Sequence, residues 1–191
     1  MPEYGVVYIG FYPLSLASDV AYCFIDTNVL IHFQTFDEVD WPTVFQVDQV
    51  CLVLGPVVMA ELNQHKDDSS HGWRQKRARM LVGKLSALLK EKPLDQPVEV
   101  RQGVSIFDIP KEPVVDWKAL GLDPRVNDDR LLASIIEFTN DIQPHAVQLI
   151  TDDFLAQRKA TYQGVTAINP EGLIERIERP SPETKIGRAH V

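Results

Sequence analysis

Acidic residues recur at four places where apolar runs break. Residues 21–25 end in Asp26-Thr27-Asn28, and residues 50–54 are followed by Pro56 and a segment carrying Glu61. Asn127-Asp128-Asp129 opens an amphipathic stretch, and residues 147–150 lead into Thr151-Asp152-Asp153. Carboxylates brought close together repel one another and resist ionising, so a cluster of them calls for a cation. Oxygen ligands without His or Cys select Mg²⁺ or Mn²⁺. The chemistry such ions support best is phosphate-ester hydrolysis, in which one ion generates hydroxide and a second, about 4 Å away, steadies the leaving oxygen. Each acid also has an ordinary explanation. Asp26 can be a turn or cap residue, and Glu61 a solvated helix charge. The pairs Asp128-Asp129 and Asp152-Asp153 can favour helix N-termini by about 0.3–1 kcal/mol per residue. Only a shared position in space separates the two explanations.

That position depends on the elements. Five short apolar runs, at 21–25, 50–54, 104–107, 147–150 and 165–168, are bounded by Asp, Gly, Pro or Asn and read as buried strands. Helical signals lie between them. Pro56 stands where a first helical residue should, ahead of 57–66. Residues 69–90 carry an amphipathic stripe of Ala78, Leu81, Val82, Leu85, Leu88 and Leu89. Asn127 can cap a helix over 128–140, and 152–161 and 170–179 supply two more. Alternating strands and helices, with strands apolar throughout, predict an α/β fold: a Rossmann-like three-layer sandwich around a central parallel five-stranded sheet. Ligands of such folds bind beyond the carboxyl ends of the strands, where the strand order reverses. All four acidic sites fall on that edge.

Composition narrows the class. The chain has 191 residues, 45% hydrophobic and 24% charged, enough for one domain with a core that needs no disulfides. Cys23 and Cys51 lie in apolar runs without metal-ligand spacing and read as buried free thiols of a reducing compartment, which predicts a cytoplasmic protein. No apolar run reaches the ~18 residues of a membrane span. A net charge of −8 shows no basic footprint for nucleic acid over the whole chain. Locally the sign reverses, because 69–90 holds no acid but Arg74, Lys76, Arg77, Arg79, Lys84 and Lys90. Arg74 and Arg77 fall near one line of that helix and are the expected phosphate contacts, against a solvated helix face for the other four. Trp41 and Trp73 are either base-stacking residues or core residues.

The motifs taken together resemble a family. Phe24-Ile25-Asp26-Thr27-Asn28-Val29-Leu30 resembles the opening motif of PIN-domain ribonucleases, and Pro56-Val57-Val58-Met59-Ala60-Glu61-Leu62 their second. Asp129-Arg130-Leu131-Leu132-Ala133 is similar to the third and Leu149-Ile150-Thr151-Asp152-Asp153 to the fourth, over about 21–177. The carboxylate ahead of Arg-x-hydrophobic-Ala selects Asp129 over Asp128. The Thr-x-Asp pattern, with Lys159-Ala160 matching a Lys-Ala pair found in the decay-pathway subgroup, selects Asp153 and leaves Asp152 as an accessory. The resemblance implies a metal-dependent endonuclease acting on single-stranded RNA. Asp26, Glu61, Asp129 and Asp153, with Asp152, would hold one or two Mg²⁺ or Mn²⁺ ions directly or through water. Asn28 and Thr151 would position carboxylates or a phosphate oxygen, and the products would carry 5′-phosphate and 3′-hydroxyl ends.

Other classes fit less well. Phosphoacceptor and phosphatase folds need a second acid at the first strand, which Asp26-Thr27-Asn28 lacks. A silent RNA-binding or assembly module would be marked by loss of the acids, and all four are present. Within nucleases the alternatives are a toxin paired with an antitoxin and the nuclease domain of a larger protein; the inserted basic helix favours the latter. A homodimer is a further candidate assembly. The expected organisation is an extension over 1–20, the nuclease domain over 21–179 and a tail over 180–191. The last six residues, Ile186 to Val191, are what one frame of a common sequencing-library adapter encodes, so the natural chain is expected to continue past about Lys185.

Overall fold

The computed structural model describes residues 20–70, 72–94, 96–141 and 147–177. Of the expected extension over 1–20 all but Val20, and the whole tail over 180–191, lie outside the described residues. Six strands form one sheet: β1 (Val20–Ile25), β2 (Gln49–Leu54), β3 (Val98–Arg101), β4 (Val104–Asp108), β5 (Val147–Ile150) and β6 (Thr166–Ile168). Their order is β3-β4-β2-β1-β5-β6, and every neighbouring pair is parallel except β3-β4. The helices around it are α1 (Thr27–His32), α2 (Trp41–Phe45), α3 (Pro56–Asp67), α4 (Gly72–Leu89), α5 (Trp117–Leu120), α6 (Asn127–Asp141) and α7 (Phe154–Tyr162).

The five expected strands form the parallel part of the sheet. The sixth, β3, is an antiparallel edge strand whose Val98-Glu99-Val100-Arg101 is only half apolar. It joins β4 through Gln102-Gly103, where Gly103 has φ +75° and a Cβ would stand 2.9 Å from the Asp48 carbonyl. Only glycine fits that turn without displacing backbone.

The expected helix over 170–179 does not form in its described part. The chain makes a single turn at Pro170, with the amides of Leu173 and Ile174 both donating to its carbonyl. Gly172 then adopts φ +79°, which breaks a right-handed helix, and Arg176 pairs with Phe33 as an isolated antiparallel bridge.

Burial follows the patterning. Phe24, Leu52 and Phe107 from the sheet, Leu81 and Leu85 from the α4 stripe and Phe138 from α6 share one core. Phe138 packs edge-on against Tyr22 and Phe24, with centroids 5.5 and 5.4 Å away. Cys23 and Cys51 are buried and unpaired, and burial pushes the Cys51 thiol up to about 12, leaving both as packing groups rather than nucleophiles. Trp41 is also core: it is 1% exposed and its indole donates to the Phe36 carbonyl at 2.7 Å. Trp73 stacks on His32 with centroids 5.4 Å apart. No helix among the described residues is long and apolar enough to cross a membrane.

Arg74 and Arg77 lie on one line of α4, and that line faces α1. Arg77 donates to the carbonyls of Ile31 at 3.2 Å and Phe33 at 2.5 Å, and Arg74 sits 3.3 Å from His32 Nε2. The Arg77 guanidinium thereby satisfies backbone carbonyls at the C-terminal end of α1 that no helical amide reaches. Hydrogen bonds from a charged donor contribute more than neutral ones, so Arg77→Ala is expected to lower stability by about 2 kcal/mol in urea unfolding. A variant as stable as the wild type would show that these bonds only exchange with water.

Candidate active site

The strand order places β1 at the centre, with β2 and β4 on one side and β5 and β6 on the other. The order therefore reverses beside β1, and the crevice lies beyond the carboxyl ends of β1 and β5. Asp26 follows β1 directly. Its amide donates to the Ile150 carbonyl at 3.0 Å, which extends the β1–β5 pairing by one bond.

Asp26 caps α1 and also sits in the cluster. One carboxylate oxygen accepts the Asn28 amide at 3.4 Å, and the other accepts the Thr151 hydroxyl at 2.7 Å. The side chain of Thr151 is fully buried and in turn accepts the Asp153 amide at 3.1 Å, so one hydroxyl orders the ends of β1 and β5 together. Asp26 is 9% exposed, and its carboxyl is pushed up to about 6. Burial is the main cause. The bonds from Thr151 and Asn28 oppose it, and the charges of Glu61 and Asp128 add to it.

Glu61 stands on α3, which starts at Pro56 after Gly55. A Cβ at Gly55 would stand 3.3 Å from Leu131, so a small residue here lets α3 and α6 approach. Both Glu61 oxygens are held: Thr27 donates to one at 2.5 Å and the Asn127 amide group to the other at 2.6 Å. Thr27 and Asn127 are positioning residues that the acid pattern alone does not reveal. Each sits one residue from an acid of the cluster, and that adjacency is the signal available in sequence.

The two acid pairs divide their roles. The Asp128 carboxylate accepts no hydrogen bond among the described residues, and its pKa is raised by burial first, then by the charge of Asp153. Lys159 opposes this, while Glu61 and Asp129 add to it. Asp129 is 5% exposed and fully engaged, accepting the Asp123 amide at 2.9 Å and pairing with Lys159 Nζ at 2.5 Å. In the second pair, Asp153 caps α7 through the amides of Leu155 and Ala156, using one oxygen only. Asp152 turns to Arg176, 2.8 Å away. The charges of Glu61 and Asp128 thus act on Asp26, and those of Asp153, Glu61 and Asp129 on Asp128, while Asp129 and Asp152 are also held in ion pairs. Arg74 and Arg77 lie against α1.

Whether this set suits a cation follows from its donors. Among the described residues no three Asp, Glu, His or Cys side chains stand close enough to enclose an ion. The cluster nonetheless has uncompensated negative charge, and both oxygens of Asp128 and one of Asp153 are left without hydrogen bonds among the described residues. This suits a hard, hydrated cation such as Mg²⁺, which is usually held through one or two carboxylates and keeps several waters.

An α/β sheet with acidic side chains at its switch-point edge is the arrangement in which a nuclease-type fold places its site. The PIN-domain family profile matches residues 23–171, and the chain belongs to the PIN-domain family. No curated protein matches it. Among solved structures, a domain of a functionally unknown protein from Methanocaldococcus jannaschii DSM 2661 is similar at a TM-score of 0.47 and 15% identity. That match covers 84% of this chain and 98% of the other.

Proposed function

We propose that the acid edge hydrolyses phosphodiester bonds within single-stranded RNA, with Mg²⁺ or Mn²⁺ as cofactor. The observation that carries this reading is the gathering of Asp26, Glu61, Asp128 and Asp153, from four separate segments, at the switch-point crevice of a PIN domain. Those four carboxylates would hold the cation directly or through water. When bound, the ion supplies polarisation of the phosphoryl oxygen and hydroxide at neutral pH.

The chain's own groups hold that arrangement in place. Thr151 orients Asp26 and the start of α7, and Thr27 and Asn127 lock Glu61 from both sides. Asp129 acts as a positioning residue through Lys159, whose ammonium offsets part of the charge on Asp128. Asp152 anchors the segment around Arg176. No side chain serves as a covalent nucleophile.

Purified protein is expected to cut unstructured RNA when Mn²⁺ or Mg²⁺ is added, to stop with chelator, and to leave 5′-phosphate ends. Products ending in 2′,3′-cyclic phosphate would instead mean attack by the RNA's own hydroxyl and would overturn this reading.

A further inference from the structure

Beside the acid edge, a groove of about 790 Å³ opens between α5 and the second half of α7. Its walls include Lys118 and Leu120 on one side and Arg158, Lys159, Tyr162 and Gln163 on the other. Gln163 ties the walls together by donating to the Leu120 carbonyl at 2.7 Å. Lys159, on the α7 wall, bonds to Asp129 and acts on Asp128, so this one residue links the groove's wall to the acid cluster.

The residues of α7 divide sharply around its axis. At 100° per residue, Phe154, Arg158, Tyr162, Leu155 and Lys159 occupy one arc roughly 140° wide. Phe154, Leu155 and Tyr162 on that arc are 69%, 66% and 88% exposed, while Ala156 and Ala160 on the opposite side pack inward. Arg158 and Lys118 are exposed, and their side chains make no hydrogen bond or ion pair among the described residues. Two unpaired cations in a chain of net charge −8, flanking an aromatic ring laid open to solvent, match a polyanion with unpaired bases. A duplex offers phosphates but no free base face for the ring.

We propose that this groove carries a single-stranded nucleic acid away from the acid edge, with Lys118 and Arg158 on its phosphates and Tyr162 stacked on a base. The inference takes its ligand from the nuclease reading, but its test measures binding without cleavage. A fluorescent oligouridylate is titrated with the protein in chelator, at several salt concentrations, and followed by anisotropy. Lys118→Ala with Arg158→Ala is expected to weaken binding at least about tenfold and to flatten the salt slope by about 1.4, for two phosphates on a single strand. Tyr162→Ala is expected to weaken binding about tenfold, with Tyr162→Phe restoring it and an abasic oligonucleotide making the ring irrelevant. Variants that bind like the wild type, duplex bound as tightly as single strand, or no binding by the wild type would each overturn the proposal. If the groove variants bind and cleave normally while Asp26→Asn does not cleave, the groove fails and the nuclease reading stands. If they lose binding and the wild type cuts nothing, the groove stands and the nuclease reading fails.

Discussion

At pH 8, Asp26→Asn is expected to reduce RNA cleavage by at least about a hundredfold, the loss of several kcal/mol of metal-assisted stabilisation, while making the protein more stable. The two effects have one origin. Burial, with the charges of Glu61 and Asp128, holds the Asp26 carboxyl at about 6 against the bonds from Thr151 and Asn28. A carboxyl raised in the folded state binds its proton more tightly there than in the unfolded chain, so stability falls as pH rises between the two values. Below about pH 4 both states are protonated and the penalty is absent; above about pH 6 it is complete. Moving from the ordinary 3.8 to about 6 corresponds to about 3 kcal/mol. Asparagine keeps an oxygen for Thr151 but weakens the cap on Asn28, so a net gain of about 1–2 kcal/mol is expected. Urea unfolding from pH 3 to 8 in chelator should give curves that coincide at the acid end and separate above pH 6. A variant less stable than the wild type at pH 8 would contradict the strained carboxylate.

The second large effect separates two neighbouring residues. Asp128→Asn is expected to reduce cleavage by at least about a hundredfold without lowering stability, since its carboxylate repels Glu61 and Asp153 and accepts no hydrogen bond among the described residues. Asp129→Ala breaks the pair of this buried carboxylate with Lys159 and leaves the part-buried Asp123 amide without its acceptor, so it is expected to cost about 2 kcal/mol in unfolding. Asp129→Asn, which keeps an acceptor for Asp123, should retain cleavage to within about tenfold. The opposite outcome, with Asp129→Asn inactive and Asp128→Asn active, would return the metal-holding role to the residue that the family motif selects.

These neighbours show where the sequence stops being readable. Two adjacent acids at a helix start point about 100° apart, and which one meets the cluster depends on how α6 is rotated against β1 and α3. No motif register contains that angle. Asn127, whose side chain reaches Glu61, carries a hint of it, because the residue beside Asp128 faces the same crevice. The parallel strands were legible because both their faces are buried, which leaves uninterrupted apolar runs. The edge strand β3, with Val98 and Val100 alternating with charge, has no such run; its signal is the turn at Gln102-Gly103.

Arg77 shows a contact that the sequence does not announce. Its helical phase, shared with Arg74, is legible and correct, but its partner is the end of α1. That short helix begins at Thr27, inside the residues read as chemistry, so its existence was hidden. Asp26 and Asp153 show the converse. Each is a helix cap at the acid edge, so the structural explanation of those carboxylates does not exclude the chemical one. The one face of α7 that departs from an ordinary solvated helix, with Tyr162 exposed beside Arg158, is visible only once the helix has been placed.

The central claim is that the acid edge cuts within an RNA strand and needs a divalent cation to do so. A circular, unstructured RNA tests both parts at once, because only internal cleavage opens it. With Mn²⁺ the wild-type protein should linearise the circle and leave a 5′-phosphate, and chelator or the pair Asp26→Asn and Asp128→Asn should each leave the circle intact. Linearisation that survives either treatment would place the chemistry elsewhere in the molecule.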